Sequence, residues 1–356
     1  MKKLLSLVLV LALALPFAAF AAEYDVAMIT DIGTIDDKSF NQGTWEGIVE
    51  YTDANSKTRN YYQPTQQSTE IYLDMIEQAV NDGADIIVTP GYLFEQPIFV
   101  AQDMYPEVHF VLIDGNPNDG DWSKPEGPEY RTEANAVGIV YAEEQAGFLA
   151  GYAAVKDGYT KLGFMGGMAV PAVVRFGYGF AQGIDYAATE MGVDGLTLNY
   201  HYTGGFAATP EAQALAASWY ADGVEVIFAC GGAVGDSVMA AAEAAGAKVI
   251  GVDVDQSPQS ETVITSAMKG LAASVISTLD AFYNGEFPAG QALVMDAARD
   301  GVSLPMETSK FNTFSQADYD AVFAKLVAGE VPLLKDTDVL SVTEIPVENV
   351  TVTEIQ

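Results

Sequence analysis

Cysteine is almost absent. Cys230 is the only one in 356 residues, which excludes an intramolecular disulfide and leaves no cysteine pair for a metal centre. Histidine is nearly as scarce. His109 and His201 are the only two, and both fall inside strand-like runs, VHFVLID and LTLNYHY. There is no serine elbow, no P-loop and no His/Cys/Asp cluster at metal spacing. The acidic DIGTIDD run lacks the bidentate Glu that a calcium loop would place after it. These lacks leave little for an enzyme to work with. Basic residues are also few: 16 Lys and Arg stand against 49 Asp and Glu, for a net charge of -33. That balance argues against nucleic acid and anionic membrane as partners.

The first 22 residues read as a signal peptide. Lys2 and Lys3 precede the apolar run LLSLVLVLALALPFAAF, and Ala19-Phe20-Ala21 offers cleavage near Ala21 or Ala22. The run is short for a membrane span and Pro16 interrupts it; an uncleaved anchor is the alternative. No Cys follows it, so the thioether-lipid anchor of bacterial lipoproteins is excluded, and a soluble periplasmic protein is expected. About 330 residues remain, more than one ordinary domain, so two are expected.

Past that point the chain alternates. Short apolar runs read as buried strands: YDVAMIT, ADIIVTP, VHFVLID, AVGIVY, KLGFMGG, LTLNYHY, VEVIFACGG and AKVIGVDVD. Helical patterns lie between them, at 68–81, 143–156, 173–191, 210–222, 235–246 and 271–283. Ser68 and Thr209-Pro210 supply helix starts, and Gly83, Gly192, Gly223 and Gly246 supply stops. This alternation predicts an α/β fold with doubly wound parallel sheets. The pattern runs twice, so two similar lobes enclosing a cleft are expected. The boundaries place residues 23–141 plus about 256–284 in the N-terminal lobe. Residues 142–255 plus about 285–356, including an irregular tail, form the C-terminal lobe.

In open parallel sheets, ligands sit beyond the carboxyl ends of the strands. Asp31 ends the first run, and Phe40-Asn41 open the helix that follows. Asp114 ends VHFVLID, Gly231-Gly232 follow VEVIFAC, and Asp253 and Asp255 end KVIGVDVD. Phe206 stands in the loop before the helix at Pro210, and Lys269 follows what reads as the second lobe's last strand. Taken singly, an Asp at a strand end is often a cap or turn former, Phe40 is more often core, and Lys269 is ordinarily solvated. The argument for a site is that all of them fall at one cleft. Trp45, five residues beyond Phe40, is expected to report its closure.

The stretch DIGTIDDKSFNQGTWEGI resembles the N-terminal signature of the basic membrane protein family, the PnrA-like nucleoside-binding proteins of ABC importers. The resemblance continues in EEQAGFLAGYAA, GFMGGMAVPAVVRFGYGFAQGI, YTGGFAATP, VIGVDVDQ and VITSAMK, in order through 24–275. It departs at the missing lipoprotein Cys, at Gly270 where a basic residue is usual, and in the acidity of the chain.

The resemblance implies a type I periplasmic-binding-protein fold with three crossovers, and no enzyme activity or cofactor. Phe40 and Phe206 would sandwich a heterocyclic base, with Asp31 and Asn41 on its edge. Asp114 would hold the ligand from the first lobe, and Gly232, Asp253 and Lys269 would take the ribose hydroxyls. The expected partners are a nucleoside, a purine nucleoside in particular, and an ABC permease with its ATPase; the protein is expected to be a monomer. A sugar, a flavin or another heterocycle is the alternative ligand within the same fold, because sugar sites also use aromatic platforms and Asp pairs.

Overall fold

The computed structural model describes residues 24–355, so the expected signal peptide lies outside the described residues. The first half runs β1 (Val26–Ile29), α1 (Phe40–Asn55), β2 (Arg59–Tyr62), α2 (Thr69–Asn81), β3 (Ile86–Pro90), α3 (Glu95–Met104), β4 (His109–Ile113) and β5 (Ala136–Tyr141). The second runs α4 (Glu143–Lys156), β6 (Lys161–Gly166), α5 (Pro171–Met191), β7 (Leu196–Tyr202), α6 (Pro210–Ala221), β8 (Val226–Cys230), α7 (Val234–Ala245), β9 (Lys248–Asp253) and β10 (Val263–Lys269). After these come α8 (Leu271–Tyr283), β11 (Gln291–Met295), β12 (Val302–Ser303), α9 (Gln316–Val327) and β13 (Val350–Glu354).

Two sheets result: one six-stranded, in the order β11-β5-β4-β3-β1-β2, the other seven-stranded, in the order β12-β10-β9-β8-β6-β7-β13. All pairings are parallel except β10 with the two-residue β12. The central strands are covered on both faces, which is why β1, β3, β8 and most of β4 are continuously buried apolar runs. Among the described residues, no helix is long and apolar enough to cross a membrane.

The helix boundaries follow local chemistry. Ser68 caps α2 by accepting from the Ile71 amide, and Thr209 caps α6 ahead of Pro210. Gly192 and Gly246 end α5 and α7 in the left-handed conformation.

The lobe exchange differs from expectation. VITSAMK is β10, which pairs with β9 and so belongs to the second sheet. The chain returns to the first lobe only at α8, which packs on α1, and it adds β11 beside β5. The crossovers therefore fall at Ala142, at Gly270 and between β11 and β12. The expected boundaries at 256 and 285 are both early: Val263 onward extends the second sheet, and Gln291–Met295 edges the first. The tail is also less irregular than expected, because α9 and β13 cover and extend the second lobe.

The long EEQAGFLAGYAA and RFGYGFAQGI motifs turn out to be a helix contact. A Cβ placed at Gly147 would lie 2.0 Å from the Phe176 carbonyl oxygen, and one at Gly179 2.0 Å from that of Glu144. The α4 and α5 backbones touch there, so no side chain fits between them. Gly179→Ala should accordingly lower stability by about 1–3 kcal/mol through forced separation of the helices; urea denaturation measures it, and an unchanged midpoint would contradict the close approach.

Candidate ligand site

The carboxyl ends of both sheets face each other, and the lobes are in contact at the start of α1. Ser39 Oγ donates to Asp253 Oδ2 at 2.5 Å, and the Gln256 and Gln259 side chains donate to the Lys38 carbonyl at 2.9 and 3.0 Å. Lys38 Nζ also lies 3.4 Å from Asp236 on α7.

The turn after β1 is built by its acids. Asp37 caps α1, with one carboxylate oxygen accepting from the amides of Ser39 and Gln42 and the other from that of Asn41. Asp31 accepts from the Gly33 amide at 2.7 Å and from Asn41 Nδ2 at 2.9 Å. Asn41 is buried, and its amide also donates to Asp37 at 3.0 Å. Its two donors are thus engaged inside the turn, so Asn41 is placed to orient Asp31. Burial pushes the Asp31 carboxyl above its usual range, against the bonds from Gly33 and Asn41.

Lys269, at the end of β10, is the centre of the site. Its side chain is 2% exposed. Its ammonium donates to Asp114 and lies 3.3 Å from Glu143 and 3.9 Å from Asp253. Three rings surround it, with centroids 4.9 Å (Phe40), 5.3 Å (Phe176) and 5.5 Å (Tyr141) away. Burial works against the ammonium, but the three carboxylates outweigh it and raise its pKa. Burial pushes Asp253 up to about 6 and Glu143 up to about 7, with Lys269 opposing both. Asp114 and Asp253 both adopt left-handed backbone, φ 59° and 67°. Such strain in non-glycine residues clusters at ligand sites, and here it falls at two facing strand ends.

Phe206 is half-buried in the loop between β7 and α6, on the second lobe, whereas Phe40 belongs to the first. A Cβ at Gly167 would lie 2.5 Å from its Cδ1, so the glycine after β6 makes the seat for this ring. Gly232, at φ 54°, lies beneath it: a Cβ there would be 3.5 Å from the Phe206 carbonyl oxygen.

The structure thus gathers Asp31, Phe40, Asn41 and Asp114 of the first lobe with Asp253 and Lys269 of the second at one junction, and Phe206 and Gly232 follow β7 and β8 of the second lobe. Asp255 is a turn former that bonds Ser257 and Thr308. Trp45 is not a cleft residue. It packs edge-on against Tyr61, 5.5 Å away, and lines an outer recess of about 460 Å³. A larger recess of about 870 Å³ lies between α1, the loop after β9 and the start of α8, and Asp253 and Lys269 reach its wall.

Glu143 and Arg175 escaped the sequence reading. Glu143 stands two residues past the end of β5, where the strand-end rule already pointed. Arg175 is one of the few basic residues and lies at the start of the second turn of α5.

The raised carboxyls give a signed pH dependence. A carboxyl whose folded pKa exceeds its unfolded value binds protons more tightly when native, so its contribution grows as pH falls through the folded value. The ligand-free protein should melt about 2–5 °C higher at about pH 5.5 than at about pH 8. Glu143→Gln should flatten that difference, while greater stability at pH 8 would contradict the assignment.

Two α/β lobes joined by three crossovers, with polar strand ends meeting at their junction, define a type I periplasmic-binding-protein fold. The chain belongs to the Bmp family: the model for "ABC transporter substrate-binding protein PnrA-like" matches residues 24–332. It is thereby an extracytoplasmic substrate-binding protein of an ABC transporter, a role that implies a small-molecule ligand, a permease and an ATPase.

Relatives include the "ABC transporter nucleoside-binding protein BmpA" of Lactococcus lactis, 27% identical over 304 residues (80% of this chain, 82% of the relative). Basic membrane protein A of Borreliella burgdorferi is 28% identical over 315 residues, 86% of each chain. Among solved structures, an ABC transporter solute-binding protein from Aeropyrum pernix superposes with a TM-score of 0.73 at 21% identity, covering 88% of this chain and 93% of its own. One from Conexibacter woesei gives 0.69 at 24% identity, covering 88% and 99%.

Proposed function

We propose that the ligand is a nucleoside, of purine type, and that the protein delivers it as a periplasmic monomer to its permease without chemical change. The observation that carries this reading is the pairing of two kinds of wall. Phe40 and Phe206 offer flat apolar faces from opposite lobes. Beside Phe40, Lys269 and its carboxylates offer charged partners for hydroxyl groups. A planar base with an attached diol has both chemistries, and the nucleoside-binding relative supports the choice.

In this reading the base stacks between the two rings, and Asp31, oriented by Asn41, accepts from its edge. Asp114, Asp253 and Lys269 take the ribose hydroxyls, with the Gly232 backbone close by. Binding both walls stabilises the closed state, since the rings belong to different lobes.

Ribonucleosides should then bind about tenfold to 150-fold tighter than 2′-deoxyribonucleosides, because a missing hydroxyl leaves a buried charged group underpaired. Free ribose should bind hardly at all, since it keeps those bonds and loses the stacking. Competition titration of guanosine, deoxyguanosine and ribose tests this. Tight ribose binding would make the cleft a sugar site and refute the nucleoside reading.

A further inference from the structure

The buried charges do not stop at Lys269. Its ammonium lies 3.3 Å from Glu143 Oε1, and Glu143 Oε2 lies 3.5 Å from an Arg175 Nη1. Arg175 in turn donates to Asp336 through Nε at 2.6 Å and Nη2 at 3.2 Å. With Asp114 at the other end, five side chains alternate in sign. The chain starts at the end of β4 in the first lobe, passes the crossover at Ala142, and ends in the segment between α9 and β13.

Glu143 is the middle member. Its side chain is 1% exposed, and neither carboxylate oxygen accepts a directed hydrogen bond within the described protein. Only the two cations compensate its burial, and a buried carboxylate needs such pairing. Nor can it move away easily. Glu143 begins α4, whose next residue has its carbonyl packed against Gly179 of α5, and Arg175 projects from α5 one turn before that glycine. The glycine contact therefore fixes the spacing of a counter-ion and two cations at the point where the chain passes between lobes.

We propose that Glu143 is a positioning residue. It holds the Lys269 ammonium in register with Asp114 and Asp253, and through Arg175 and Asp336 it ties the grip of the cleft to the C-terminal segment. The ligand used to test this rests on the nucleoside reading; the clamp itself does not.

The experiment compares Glu143→Gln and Asp336→Asn with the wild-type protein. Guanosine and 2′-deoxyguanosine are titrated against each, and ammonium proton exchange at Lys269 Nζ is followed by nitrogen-15 NMR in the ligand-free protein. Glu143→Gln should weaken guanosine about tenfold or more and deoxyguanosine much less, so that the ratio between them collapses. Asp336→Asn should give the same pattern at about two- to tenfold, and it carries the test alone if Glu143→Gln does not fold. Ammonium exchange should accelerate in both variants. An equal loss for both nucleosides would make Glu143 merely structural and overturn the proposal, as would unchanged exchange. Faster exchange in a protein whose wild type binds no nucleoside would uphold the clamp and refute the nucleoside reading instead.

Discussion

Lys269→Met is expected to abolish high-affinity ligand binding and to cost about 3–5 kcal/mol of folding stability. The ammonium is buried within reach of Asp114, Glu143 and Asp253, and three rings close the space around it. Methionine fills much of the same volume, so the loss reports charge more than packing. Without the ammonium, three carboxylates face one another, and they relieve the repulsion by taking up protons. The cost should therefore be larger at about pH 8 than at about pH 5.5, where those carboxyls protonate more readily. Urea denaturation at both values measures it. A variant as stable as the wild type at pH 8 would mean that Lys269 is not the counter-ion on which the cluster depends.

The second large effect concerns the rings. Phe40→Ala and Phe206→Ala should each weaken nucleoside binding by about 1–3 kcal/mol, or roughly fivefold to 150-fold. Their structural consequences should differ. Phe206 lies over Gly167 and Gly232 in a loop and is half-buried, so its truncation should leave stability nearly unchanged. Phe40 opens α1 and faces the Lys269 ammonium, so its loss also removes a cation–π contact. Phe176 also faces the Lys269 ammonium but serves the core, so it is the comparison. It is buried against Phe228, with ring centroids 5.8 Å apart, and Phe176→Leu should lower stability more than affinity. Calorimetric titration of the three variants separates these outcomes; unchanged affinity in Phe206→Ala would remove that ring from the site.

Much of this architecture was legible because strand and helix alternation leaves a plain mark on sequence. The eight apolar runs read as strands all became strands, and the strand-end rule found Asp31, Asp114, Asp253 and the glycines after β8. What escaped it has physical causes. β2 is an edge strand with the polar sequence RNYY, and β11 is an edge strand exposed along much of its length, so neither shows a buried apolar run. β10 was read as a motif after the last strand because Thr265, Ser266 and Lys269 interrupt its apolar pattern, yet those residues are buried. Misplacing β10 moved the expected lobe boundary with it. Trp45 was misread because position along α1 does not say which face of the helix meets the cleft. Arg175 lay hidden in a helix whose glycines drew attention to the motif as a whole. Its role depends on Asp336, about 160 residues away, a pairing no local pattern announces.

The central claim is that the ligand is a nucleoside held across the two lobes by rings at one end and buried charges at the other. A crystal structure of the protein with guanosine tests it most directly. The account predicts the base between Phe40 and Phe206, its edge toward Asp31, and the ribose hydroxyls within hydrogen-bond distance of Asp253, Lys269 or Asp114. A guanosine bound outside the cleft, or one whose base meets neither ring, would contradict it.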